Sequence, residues 1–144
     1  LSVEFVQDNH SRSRKGVLRG MHYQLPPKEQ AKLVRVTHGI IYDIAVDIRK
    51  SSKTFGKWVG VKLSEKNKKQ LWIPAGFAHG FLTLSTFAEV NYKATDYYDP
   101  NYESGFNFHS ATLNINWPSV GEIVTSEKDR NLINFDTDTF PGSS

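Results

Sequence analysis

Apolar residues recur at every second position along much of this chain, a period that fits strands and not helices. Ile40, Tyr42, Ile44, Val46 and Ile48 lie on one face of a strand, with Ile41, Asp43, Ala45, Asp47 and Arg49 on the other. Val59, Val61 and Leu63 alternate with Gly60, Lys62 and Ser64. Further strand-like runs cover residues 2–6, 17–24, 32–37, 70–73, 79–84 and 89–97. Turn signals divide them: Pro26-Pro27, His38-Gly39, Ser51-Ser52-Lys53, Pro74-Ala75-Gly76 and Asp99-Pro100-Asn101. No long segment carries a helical stripe. Only residues 126–132 suit a short helical turn, with Ser126 as cap and Glu127 and Asp129 in the first turn. Many short strands at regular spacing predict an all-β sandwich or barrel. With 144 residues, no repeat and no linker, the chain reads as one domain over 1–144.

Composition removes several functions. Cys is absent, which excludes a disulfide framework, a thiol nucleophile and cysteine-ligated metals. No apolar run reaches the roughly 20 residues of a membrane helix, and no signal-peptide pattern opens the sequence. The expectation is a cytoplasmic protein with no membrane partner. The net charge of +3 favours an anionic ligand. Arg12, Arg14 and Lys15 form one basic cluster, and Lys66, Lys68 and Lys69 a second, in a solvated turn. Both are too short for a nucleic-acid groove.

Strand parity sorts the ionisable residues. Asp43 and Asp47 share a face with Ile41 and Ala45, Lys32 with Val34 and Val36, His22 with Leu18 and Gly20, and Tyr92 with Val90, Ala94 and Tyr98. An ionisable group on an inward face is costly unless paired or used. Together these residues have the composition of an acid/base site inside a barrel. Imidazole can accept a proton at neutral pH, and a bulge at Gly20 would turn Arg19 and His22 to one cavity. The plainer reading of His22 is a structural histidine with one hydrogen bond. His79 closes the run Pro74-Ala75-Gly76-Phe77-Ala78-His79, which resembles the second half of a metal-binding cupin motif. The first half offers only His22, and Lys32 is a poor neighbour for a cation, so no metal is expected. Tyr92 and Tyr98, on one extended strand, would stand roughly 20 Å apart. No spacing ties Asp129 to His22, although a carboxylate so placed would orient the imidazole.

The blocks Gln7-Asp8-Asn9-His10-Ser11, Gly16-Val17-Leu18-Arg19-Gly20-Met21-His22-Tyr23-Gln24, Lys32-Leu33-Val34-Arg35-Val36, Trp72-Ile73-Pro74-Ala75-Gly76-Phe77-Ala78-His79-Gly80-Phe81, Tyr92-Lys93-Ala94-Thr95-Asp96-Tyr97-Tyr98 and Ser126-Glu127-Lys128-Asp129, with Tyr42-Asp43-Ile44-Ala45-Val46-Asp47-Ile48-Arg49 between them, run in order over most of the chain. In these blocks the sequence resembles the dTDP-4-dehydrorhamnose 3,5-epimerase family. The resemblance implies a cupin-type jelly roll with short C-terminal helical turns, a homodimer, no metal and no cofactor. It implies a dTDP-4-keto-6-deoxyhexose substrate and deoxysugar biosynthesis. It also implies His22 as general base, Asp129 as its partner, Tyr92 as general acid and Lys32 beside the enolate. Arg19, Asp43, His79, Gln7, Asn9 and Tyr98 are implied as substrate-binding positions. The family's N-terminal strand, whose arginine and phenylalanine reach the neighbouring subunit's nucleotide site, is missing from this sequence. Tyr92 favours inversion at both C3 and C5. A single-centre epimerase is the alternative within the class; a metal-dependent cupin enzyme or a non-catalytic sugar-binding barrel are the alternatives outside it.

Overall fold

The computed structural model describes residues 3–138 and 140. Nine strands run in chain order: β1 (Gln7–Arg14), β2 (Leu18–Gln24), β3 (Lys32–His38), β4 (Ile40–Asp47), β5 (Trp58–Ser64), β6 (Gln70–Ile73), β7 (Phe77–Thr83), β8 (Phe87–Ala94) and β9 (Glu103–Gly105). One helical turn, α1 (Glu127–Arg130), follows. The strands form two antiparallel sheets, ordered β1-β8-β3-β6 and β5-β4-β7-β2-β9. This is the all-β sandwich that the alternation and turn spacing predict, with the jelly-roll form that the resemblance implies.

The alternation does different work on the two sheets. Val34, Val36, Ile73, Ala88 and Val90 from the first sheet meet Ile41, Ala45, Leu63 and Phe81 from the second, and these make the inner core. The outer face of the five-stranded sheet is apolar as well. Leu18, Met21, Tyr23, Ile44, Val46, Ile48, Ala78 and Leu82 are covered there by Phe106, Phe108, Leu113, Phe135 and Phe140. β4 thus buries both faces, which is why its apolar run is nearly continuous.

Three sequence expectations change. Residue 2 lies outside the described residues, and the first strand spans Gln7–Arg14 in place of 3–6. β1 is wholly polar: Gln7, Asn9, Ser11 and Ser13 form its less exposed side, and Asn9 and Ser11 line a cavity that tolerates them. The strand over 89–97 stops at Ala94. Residue 31 captures the chain there, because Ala31 donates its N–H to Thr95 Oγ1 and its carbonyl accepts the Thr95 N–H. Finally, β9 gave no signal, having only three residues with no alternation to read.

Candidate active site

The site begins at an irregularity in β2. Arg19 faces Phe81 of β7 and His22 faces His79, with a register shift between them. Gly20 has φ of +119° and packs against Gly80. A Cβ on Gly20 would stand 2.7 Å from Gly80 Cα, and a Cβ on Gly80 would stand 2.8 Å from Arg19 O. Only glycine at both positions permits this approach. The shift sends Leu18, Met21 and Tyr23 to the outer core while Arg19 and His22 both line the cavity. The bulge is as expected from Gly20, but the parity that put His22 on the face of Leu18 is corrected: the extra residue reverses it.

His22 Nε2 lies 2.6 Å from Asp129 Oδ1, and the Gly20 N–H donates to Asp129 Oδ2 at 3.1 Å. Ser126 caps α1 by accepting the Asp129 N–H, which fixes the turn that presents this carboxylate. Burial alone would disfavour the Asp129 charge. The bonds from His22 and Gly20 outweigh it and hold the carboxyl below its ordinary range. An ionised Asp129 accepts Nε2–H from neutral His22, leaving the Nδ1 lone pair free.

A second pair stands directly across the β2–β7 ladder. His79 Nε2 is 2.6 Å from Asp43 Oδ1, and Asp43 is fully buried. Asp43 is absent from the cavity lining and meets it through His79. Lys32 reaches the same cavity from β3, with Nζ 5.2 Å from the centre of the Tyr92 ring. Desolvation brings the Lys32 ammonium down to about 8, against the opposing fields of Asp43 and Glu103. Burial, then the Glu103 charge, push the Tyr92 phenol up, while Arg19 opposes them.

The cavity holds about 490 Å³ and is lined by Asn9, Ser11, Arg19, His22, Lys32, His79, Phe81, Tyr92, Ser126, Lys128 and Asp129 among others. Gln7 and Tyr98 lie outside this lining and join it in series. The Tyr98 N–H donates to Gln7 Oε1 at 2.7 Å, and Gln7 Nε2 donates to Asn9 Oδ1 at 2.8 Å. The extended separation of Tyr92 and Tyr98 is corrected. Because β8 ends at Ala94, the chain turns back, and the Tyr98 phenol acts electrostatically on Tyr92. Asp47 is not part of the site: it accepts bonds from Arg49, Ser52 and Thr54 and closes the turn after β4.

Sequence reasoning missed Glu103 and Lys128. Lys128 lines the cavity and is paired with Glu103. The signal for Lys128 was its place beside Asp129, whereas Glu103 lies on the unseen strand.

Known proteins share this sequence and fold. A profile described as dTDP-4-dehydrorhamnose 3,5-epimerase matches residues 1–137. The Escherichia coli K12 dTDP-4-dehydrorhamnose 3,5-epimerase is 55% identical over 134 residues, covering 93% of this chain and 72% of the relative. The Legionella pneumophila dTDP-6-deoxy-D-glucose-3,5-epimerase, solved in complex with dTDP-4-keto-L-rhamnose, superposes with a TM-score of 0.92. It shares 48% identity, with 100% of this chain and 78% of that one covered. ChmJ, a 3'-monoepimerase from Streptomyces bikiniensis solved with dTDP-quinovose, gives a TM-score of 0.85 at 34% identity, covering 90% of this chain and 66% of that one. Fold and site thus define an isomerase built on a cupin-type jelly roll. The chain belongs to the dTDP-4-dehydrorhamnose 3,5-epimerase family.

Proposed function

We propose that this protein inverts C3 and C5 of dTDP-4-dehydro-6-deoxy-D-glucose, giving dTDP-4-dehydro-L-rhamnose for deoxysugar biosynthesis. It acts as a single-domain subunit of a cytoplasmic homodimer. The observation that carries this reading is the His22–Asp129 pair at 2.6 Å, sharing one cavity with Lys32 and Tyr92.

The C4 ketone acidifies the C–H bonds on either side of it. His22 Nδ1 takes a proton from C5 or C3, and the electron pair moves into the C4–O bond as an enolate. The Lys32 ammonium stabilises that oxygen in a partly dry cavity. Asp129 stabilises the imidazolium that forms. Tyr92 returns a proton from the opposite face, and the electron pair comes back from oxygen to carbon with the configuration inverted. Proton exchange with solvent then restores neutral His22 and the Tyr92 phenol before the next inversion, so the cycle needs no oxidant or reductant, and no step calls for a metal. Arg19, His79 with Asp43 behind it, Asn9, Gln7 and Tyr98 bind the rest of the nucleotide sugar.

Incubation with dTDP-4-keto-6-deoxyglucose in deuterated water tests the reading. Deuterium is expected at both C3 and C5, with inversion at both. The likeness to the S. bikiniensis 3'-monoepimerase favours one rival, a single-centre epimerase, which would label and invert one carbon only. Absence of exchange at both carbons would sink the epimerase reading.

A further inference from the structure

Ser13 lies in the exposed run Arg12-Ser13-Arg14, yet it alone turns inward and is 6% exposed. Its Oγ accepts a hydrogen bond from Arg19 Nε at 3.0 Å. β1 and β2 belong to different sheets, so this bond joins the two sheets beside the cavity. A guanidinium carries one Nε–H and two terminal NH2 groups in a fixed plane. With Nε engaged by Ser13, the terminal pair is left for acceptors in the cavity that Arg19 lines.

We propose that Ser13 is a positioning residue, which holds the Arg19 guanidinium plane so that its terminal N–H groups meet oxygen atoms of the bound nucleotide sugar. This rests on the epimerase reading. An arginine side chain loses rotamer entropy when it is ordered. Here the bond to Ser13 supplies part of that ordering before the ligand arrives, so binding and catalysis bear less of it. The same anchoring keeps the Arg19 charge near Tyr92, where it opposes the effects of burial and of Glu103 on the phenol.

A double-mutant cycle tests this, with kcat/KM for dTDP-4-keto-6-deoxyglucose as the readout. Ser13→Ala is expected to lower kcat/KM about tenfold, the scale of one hydrogen bond to a charged group. Ser13→Thr, which keeps the hydroxyl, is expected to retain most of it. In an Arg19→Met background, Ser13→Ala is expected to add no further loss. An equal loss in both backgrounds, with the wild type active, would overturn the positioning role and leave the epimerase reading intact. So would a loss in Ser13→Thr equal to that in Ser13→Ala. An inactive wild type would overturn both. Melting temperatures recorded alongside separate this role from a structural one, which would lower stability and activity regardless of residue 19.

Discussion

Two imidazoles in the cavity donate the same nitrogen to a carboxylate at the same distance, and they differ in their access to water. The His22 side chain is 29% exposed and that of His79 is 7%. His22 is the more open of the two, and it is the one that the proposed mechanism uses as base. Tyr92→Phe and Asp129→Asn then separate the two half-reactions. Without the phenol, His22 still removes the proton, and the enolate is reprotonated from its original face or by water. Deuterium wash-in is expected to outlast inversion in Tyr92→Phe. In Asp129→Asn both are expected to fall together by about 10²–10⁴-fold, because the base itself is weakened. Parallel loss in Tyr92→Phe would remove it as the acid.

Lys32 gives a further prediction. Its ordinary value of 10.5 is brought down to about 8 in the fold, so the folded state binds its proton less tightly than the unfolded chain does. The buried ammonium costs stability below pH 8, and the cost is relieved as pH rises from 8 towards 10.5. Activity runs the other way, since the enolate loses its cation as pH rises through about 8. Lys32→Met is therefore expected to raise the melting temperature near neutral pH while lowering kcat at least about 10²-fold. A lower melting temperature in that variant would show that the charge is compensated. The inward faces of Lys32 and Tyr92 were legible from parity, whereas that of His22 was not, because the bulge at Gly20 reverses it. The pairing of His22 with Asp129 was not, because a separation of 107 residues carries no geometric information, and only the family resemblance joined them.

At the scale of single elements, legibility followed the environment of each strand. β4 and β5 could be read because apolar neighbours impose alternation on them. β1 could not, because its inner face lines the cavity and its outer face carries Asp8, His10, Arg12 and Arg14. β2 was read with the wrong parity because one glycine resets the register. That glycine contact is testable from its other side. Gly80 has an ordinary φ, so space alone forbids a side chain there. A Cβ would meet Met21 Sδ at 2.6 Å, which can move, and Arg19 O at 2.8 Å, which is backbone and cannot. Gly80→Ala is expected to cost about 1–3 kcal/mol of stability. It should also lower kcat more than Gly76→Ala does, since it pushes apart the strands that hold His22 and His79. Full activity in Gly80→Ala would mean that the bulge does not need this close approach.

On the scale of the whole molecule, the two cores have different duties. The inner core joins the sheets through residues of six strands and fixes the barrel. The outer core is made by the chain after β9, where among the described residues only α1 has regular structure. Phe106, Phe135 and Phe140 pack there in tilted and edge-on contacts, with the Phe106–Phe135 centroids 5.1 Å apart and Phe135–Phe140 4.7 Å apart. Asp129 lies between Phe106 and Phe135 in sequence, so the aromatic cluster anchors the segment that carries half of the dyad to the cavity. This separates stability from catalysis. Phe135→Ala is expected to cost about 3–5 kcal/mol and Leu63→Ala, in the inner core, about 2–5 kcal/mol. Among molecules that remain folded, Leu63→Ala should keep a near-normal kcat, because β5 does not line the cavity. Phe135→Ala should lose kcat towards the level of Asp129→Asn, with faster amide hydrogen exchange over Glu127–Arg130. Equal specific activity in the two variants, measured where both are folded, would show that Ser126 and the hydrogen bonds to Gly20 and His22 hold Asp129 without the aromatic anchor.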